Sequence, residues 1–310
     1  MDLHDPAARN TTDAVRPGTR RLLVTFLALT LLAVNQLFVL SDVADRFWAW
    51  PIPAEMTAAF LGAAYSAGFV LAVLALREDR WSRIRVPVLT VTVFTVLTGL
   101  ATLDHAHKLR LMSGEPVARA ASWVWLAVYV VIPFACALVV VRQERDRRGV
   151  AAPVGRPIPR WLHALLIVEG GVLFVAGIVM FAGGAFLHHH TARVTRFWPW
   201  EVTPLSSMVI GARLIAFGVA AALVLRDRDL GRMFVAAATY LVFGVFELVA
   251  VIWYAPQVDV GDPWLWSYVA VLAAITATGA FGAWAARRPS ADGGSSEGDR
   301  ISAPSSGVAG

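Results

Sequence analysis

Three ionisable residues stand inside long apolar runs of this sequence: Glu169, Arg213 and Glu247. A charge at the centre of a hydrocarbon layer costs about 2.5–3.5 kcal/mol on an insertion scale, so such groups pair, face an interior, or mark a site for a substrate, ion or proton. At 1.5 Å of helical rise per residue, Arg213 lies roughly 14 Å and Glu247 roughly 10 Å from one face, and Glu169 roughly 14 Å from the other. Arg213 and Glu247 share a depth on consecutive runs. The short connection around 227–231 makes those runs antiparallel neighbours, so an ion pair between the two is expected. Glu169 either joins it or carries a proton. The set reads as an interhelical clamp or as a site for a substrate, ion or proton.

Histidines form the second constellation. His105 and His107 close one run, and His188, His189 and His190 follow another, all on the same face. Five imidazoles are a ligand set for zinc or copper, with Asp104 or Glu115 as oxygen donors. Their spacing also suits a polar interfacial loop. Cys136 is the single cysteine, which excludes an internal disulfide and a cysteine-based zinc site. The sequence requires no cofactor. It holds no phosphate-cradling glycine loop, no G-x-S-x-G and no H-E-x-x-H, so the reading leans away from an enzyme.

The elements that position these groups are membrane spans. The chain has 310 residues, 57% of them hydrophobic, and a mean hydropathy of +0.62. Soluble domains are about 45–50% apolar, and here the excess falls into runs of the roughly 20 residues that cross a bilayer as a helix. Eight spans are expected, near 21–41, 54–76, 85–103, 121–141, 160–184, 204–225, 233–254 and 264–286. The fold class is therefore an all-α membrane protein with the lipid bilayer as its partner. The first run follows Arg20-Arg21, exceeds the length of a signal-peptide core and has no A-x-A site after it, so it reads as a retained anchor. Residues 1–19 and 289–310 are polar and read as disordered tails.

The net charge of +5 does not indicate nucleic acid, because the basic residues sit in short loops. Of the 27 Lys and Arg, 20 fall on the side of the N-terminus, six on the other, and Arg213 within a span. The bias predicts both termini in the cytoplasm. Nine of the twelve tryptophans gather at the outer ends: Trp48, Trp50, Trp123, Trp125, Trp198, Trp200, Trp253, Trp264 and Trp266. Indole favours the headgroup layer, so an aromatic belt is expected, with an outward-facing site as the other reading.

The chain also repeats itself. Arg46-Phe47-Trp48-Ala49-Trp50 returns as Arg196-Phe197-Trp198-Pro199-Trp200, and Trp123-Val124-Trp125 returns as Trp264-Leu265-Trp266. Span 3 aligns with span 7 at an offset of 149, which places Thr98 at Glu247, while Arg213 falls opposite Ala63 and Ala64. The expected organisation is two parallel four-helix repeats, 20–148 and 160–288, joined by a linker at 149–159; an even number of spans per half makes the halves parallel.

Phe60-Leu61-Gly62-Ala63-Ala64-Tyr65, Thr102-Leu103-Asp104-His105-Ala106-His107 and Phe197-Trp198-Pro199-Trp200 leading into Thr203-Pro204-Leu205 carry a resemblance. With them the chain resembles a group of uncharacterised multi-pass integral membrane proteins, of about eight spans, from GC-rich Gram-positive bacteria. The arginine-rich composition, with Lys108 the one lysine, agrees. The resemblance implies the fold class and a place in the bacterial plasma membrane; it supplies no activity and no catalytic residues. Three functional readings follow: a protein that binds or moves a small solute through the polar site of the second repeat, a metal-dependent membrane enzyme or its assembly partner built on the outer-face histidines, or a structural membrane protein.

Overall fold

In the computed structural model, which describes residues 13–147, 155–187 and 190–288, eight helices are long and apolar enough to cross a membrane. They are α1 (Pro17–Val39), α2 (Glu55–Leu76), α3 (Trp81–Asp104), α4 (Pro116–Asp146), α5 (Arg160–Phe186), α6 (Pro204–Asp227), α7 (Leu230–Trp253) and α8 (Pro263–Arg287). Among the described residues no strand forms, and one isolated bridge joins Ala14 to Arg80. Four spans open on proline, whose missing N–H has no partner in a first helical turn anyway. Thr203 and Asp262 cap α6 and α8 by accepting the backbone N–H of Ser206 and Trp264.

Two boundaries differ from the sequence reading. Residues 13–19 do not belong to a tail: Ser82 donates its N–H and hydroxyl to the Asp13 carboxylate, and Pro17 opens α1. The helix α4 extends past the apolar stretch at both ends, because its polar final turns find partners. Arg16 pairs with Asp146 at 2.6 Å and Arg85 with Glu144 at 2.7 Å. Residues 1–12, 148–154 and 289–310, which hold most of the expected tails and linker, lie outside the described residues.

The spans pack in matched pairs. The helix α1 lies on α2 as α5 lies on α6; α3 lies on α4 as α7 lies on α8; and α2 lies on α7 as α6 lies on α3. Each pairing recurs four spans further along the chain. The close approaches match as well. A Cβ on Gly62 would stand 2.6 Å from the Phe38 Cβ and backbone nitrogen, and one on Gly211 would stand 2.6 Å from the Phe181 nitrogen. Lipid tails are as apolar as the side chains, so helices in lipid associate through close packing of this kind rather than through a hydrophobic driving force. The turn of α1 that meets Gly62, Asn35–Val39, is π-helical.

This pairing separates α6 from α7. The helix α6 packs on α5 and α3, while α7 packs on α8 and α2. The two consecutive spans touch through Phe217, whose ring centroid lies 4.8 Å from that of Phe243 and 5.5 Å from that of Tyr240.

Candidate functional site

At one end of the bundle five tryptophans turn inward. Trp48, Trp50, Trp125 and Trp198 are buried and Trp200 is half-buried, whereas Trp123, Trp253, Trp264 and Trp266 are exposed. Five of the nine therefore do not face a headgroup layer, as the expected belt requires, and the other four are exposed. Trp48, Trp50, Trp198 and Trp200 sit in the loops after α1 and α5, which fold back between the spans, and Trp125 meets the first of these loops from α4. Trp50 packs edge-on to Trp48 and Trp125, and Trp200 packs edge-on to Trp198 and Tyr268. Trp200 donates its indole N–H to the Thr57 hydroxyl at 2.8 Å, and Trp50 donates to the Ser206 hydroxyl at 3.4 Å. Trp48 and Trp198, the first tryptophans of the two motifs, both leave a buried indole N–H without a partner.

Beneath this aromatic cap lies Arg213, on α6, 7% exposed. Its guanidinium carbon stands 3.9 Å above the Phe94 ring and 5.8 Å from that of Phe217. Cation–π contact of this kind stabilises a desolvated cation by about 2 kcal/mol or more. Tyr65 and Tyr129, whose hydroxyls are 2.7 Å apart, are its electrostatic neighbours. Among the described residues no carboxylate lies within 4.0 Å of Arg213, and its Nε has no hydrogen-bond partner. Thr98, one helical turn beyond Phe94 on the same face of α3, is fully buried with an unpartnered hydroxyl.

The expected Arg213–Glu247 ion pair does not form. The reason is the helix order: α6 and α7 are consecutive in sequence, but each packs its backbone chiefly on other spans, α6 on α5 and α3 and α7 on α8 and α2. Glu247 is 0% exposed and takes the Tyr268 hydroxyl of the adjacent α8 at 2.7 Å, leaving Oε1 unpartnered. Glu169 does not join Arg213 either. It accepts the Thr278 hydroxyl of α8 at 2.7 Å and leaves Oε2 unpartnered. Thr278 in turn lines a cavity of about 60 Å³ with Thr90, Thr239, Tyr240 and Phe217. The three buried ionisable groups thus occupy three separate settings. Tyr129, Thr98, Tyr268 and Thr278, which complete those settings, carry one sequence signal: a hydroxyl in an otherwise apolar run.

His105 is buried at the end of α3, its Nδ1 3.3 Å from the Asp104 carboxylate and its ring stacked on the exposed His107 at 6.0 Å. His190 is exposed. Among the described residues no three His, Cys, Asp or Glu side chains group closely enough to hold an ion, and His188 and His189 lie outside those residues. Asn35 and Gln36, the two amide side chains of α1, make no side-chain hydrogen bond among the described residues, and Asn35 is exposed.

Fold and site together define an α-helical, multi-pass membrane protein with polar groups buried at the junction of its spans. The chain matches no protein-family model and, at a significant level, no curated protein and no solved structure.

Proposed function

We propose that this chain is a bacterial plasma-membrane protein of two duplicated four-span halves, both termini cytoplasmic, that binds a small anionic solute at Arg213. The observation that carries the reading is a guanidinium buried between α6 and α3, one span from each half, with no carboxylate among the described residues to neutralise it. A buried arginine in hydrocarbon is costly and pairs by default. Here Phe94 and Phe217 offset part of the cost, while Nε is left unpartnered, as is the buried Thr98 hydroxyl one turn from Phe94. The planar fork of a guanidinium matches a carboxylate, so a small carboxylate is the solute class the site fits. The duplication is supported by the recurrent helix pairings, the matched glycine contacts and the crossed indole–hydroxyl bonds. The orientation is supported by the arginine bias.

The test is thermal unfolding of the detergent-purified protein with acetate, lactate and succinate against chloride at equal ionic strength. A ligand at 100 times its Kd stabilises by about 2.7 kcal/mol. One carboxylate is expected to raise the unfolding midpoint of the wild type and not that of Arg213→Gln. No shift with any carboxylate, or an equal shift in the variant, removes the reading. Elemental analysis of the same sample addresses the metal-dependent alternative on His105, His107, His188, His189 and His190, which stoichiometric zinc or copper would favour.

A further inference from the structure

The face opposite the tryptophan cap holds a wide cleft, of about 1030 Å³, between the two halves. Glu78 and Arg80 line it from the loop between α2 and α3, and Arg83 from the first turn of α3. Arg156, Arg232, Arg287 and Arg288 line it from the second half, with Asp13 and Asp229. Six guanidinium groups therefore face three carboxylates, and each carboxylate is already engaged. Asp13 accepts both donors of Ser82, Glu78 pairs with Arg83 at 3.2 Å, and Asp229 pairs with Arg232 at 2.8 Å and accepts the Gly231 N–H. Arg80, Arg156, Arg287 and Arg288 have no carboxylate within 4.0 Å among the described residues. Arg156 donates to the Ala286 carbonyl at the end of α8, which holds its guanidinium at the cleft wall. Arg287 lies over Phe234 at 4.3 Å and Arg288 over Trp284 at 3.5 Å.

We infer that this cleft binds a phosphate group, either that of an anionic phospholipid headgroup or free phosphate. Charge bias explains why arginines gather on this face, but not why they converge on a cleft whose acids are already satisfied. A phosphate accepts several charge-assisted hydrogen bonds at once, which suits guanidinium groups arriving from both halves. Trp284, half-exposed at the end of the last span, marks the depth at which headgroups lie. Basic pockets between spans at this depth are suited to lipid phosphates. A bound phosphate would bridge the loop before α3 to the end of α8, tying the two halves together.

Thermal unfolding of the full chain in a nonionic detergent tests this with three probes: dihexanoyl-phosphatidylglycerol, dihexanoyl-phosphatidylcholine and inorganic phosphate. Phosphatidylglycerol is expected to raise the midpoint and phosphatidylcholine to leave it unchanged. An equal effect of inorganic phosphate assigns the site to free phosphate, and a much weaker one assigns it to the lipid. Arg80→Gln/Arg287→Gln should weaken the effective probe by about ten-fold or more, each lost bond being charge-assisted. Arg21→Gln/Arg226→Gln removes the same charge from the same face outside the cleft and should leave the affinity within about two-fold. Equal weakening by both double variants reduces the effect to general surface charge and overturns the inference, as does an equal response to phosphatidylcholine. If the cleft variant does not fold, Arg288→Gln with the same probes decides between the outcomes.

Discussion

Trp200 donates its indole N–H to the hydroxyl of Thr57, 2.8 Å away and 143 residues earlier in the chain. The bond crosses between the halves, and Trp50 returns it by donating to Ser206. The segments around Trp50 and Trp200 thus each reach into the other half of the chain at the tryptophan end. An indole N–H left unpaired in a buried site costs about 1–3 kcal/mol. Thr57→Val, which keeps the volume and removes the acceptor, is expected to lower stability by about 1–2 kcal/mol in SDS-induced unfolding. Ser206→Ala is expected to cost less, because 3.4 Å is at the limit of a hydrogen bond. Equal or reversed losses would overturn this ranking of the two bonds.

Gly62 and Gly211 give a second comparison between the halves. Each sits where a Cβ would press on the backbone of the neighbouring span at 2.6 Å. Backbone cannot yield as a side chain can, so Gly62→Val and Gly211→Val should each cost about 2 kcal/mol or more, in the range of overpacked cores. Gly171, where an added Cβ meets nothing within 4 Å, is the control. Gly171→Val is expected to stay within about 0.5 kcal/mol of wild type. Circular dichroism of the three purified variants on heating measures the contrast.

Glu247 is wholly buried with one hydroxyl donor for two oxygens. A carboxylate so placed bears an uncompensated desolvation cost. Glu247→Gln keeps an acceptor for Tyr268 and removes the ionisable group, so it should be at least as stable as wild type. Tyr268→Phe removes the donor and should lose about 1–3 kcal/mol. A destabilised glutamine variant would show that the negative charge itself supports the fold.

The span count was legible because runs of about 20 apolar residues have one structural solution in lipid. Arg213, Glu247 and Glu169 were legible as buried groups for the same reason. Their partners were not. Depth along a helix follows from rise per residue, but which helices touch is set by packing between faces that are apolar all round, and such faces leave no stripe to read. Chain order therefore suggested α6 beside α7, and the glycine contacts that place α6 on α5 decided otherwise. The tryptophans misled for a related reason. Trp48 and Trp266 look alike in sequence, yet one lies in a loop that folds into the bundle and the other on a helix facing outward.

Topology is tested by reporter fusions on loops. The arginine bias places Glu78 and Arg228 on the cytoplasmic side, and Ser113 and Asp259 on the outside. Fusions at the first two should report cytoplasm and at the last two the exterior. A consistent reversal would invert the orientation while leaving the eight spans intact, and a mixed result would contradict the span count.

The relation between Arg213 and Glu247 can be measured directly. Each is buried, and each single truncation removes a polar group from a low-dielectric setting, so each alone changes stability. If they were an ion pair, removing one would strand the other, and the double variant would recover part of the loss. Here the guanidinium rests on Phe94 while the carboxyl is held by Tyr268, on separate helix pairs. Sites without shared partners add to within about 0.3–0.5 kcal/mol. The free-energy losses of Arg213→Ala and Glu247→Ala in SDS-induced unfolding are therefore expected to sum to that of the double variant. The cycle of Glu247→Ala with Tyr268→Phe, run beside it, should show a coupling of about 1 kcal/mol or more, since those two groups share a hydrogen bond. A coupling between Arg213 and Glu247 as large as that of the bonded pair would restore the ion pair and refute the separation of the two settings.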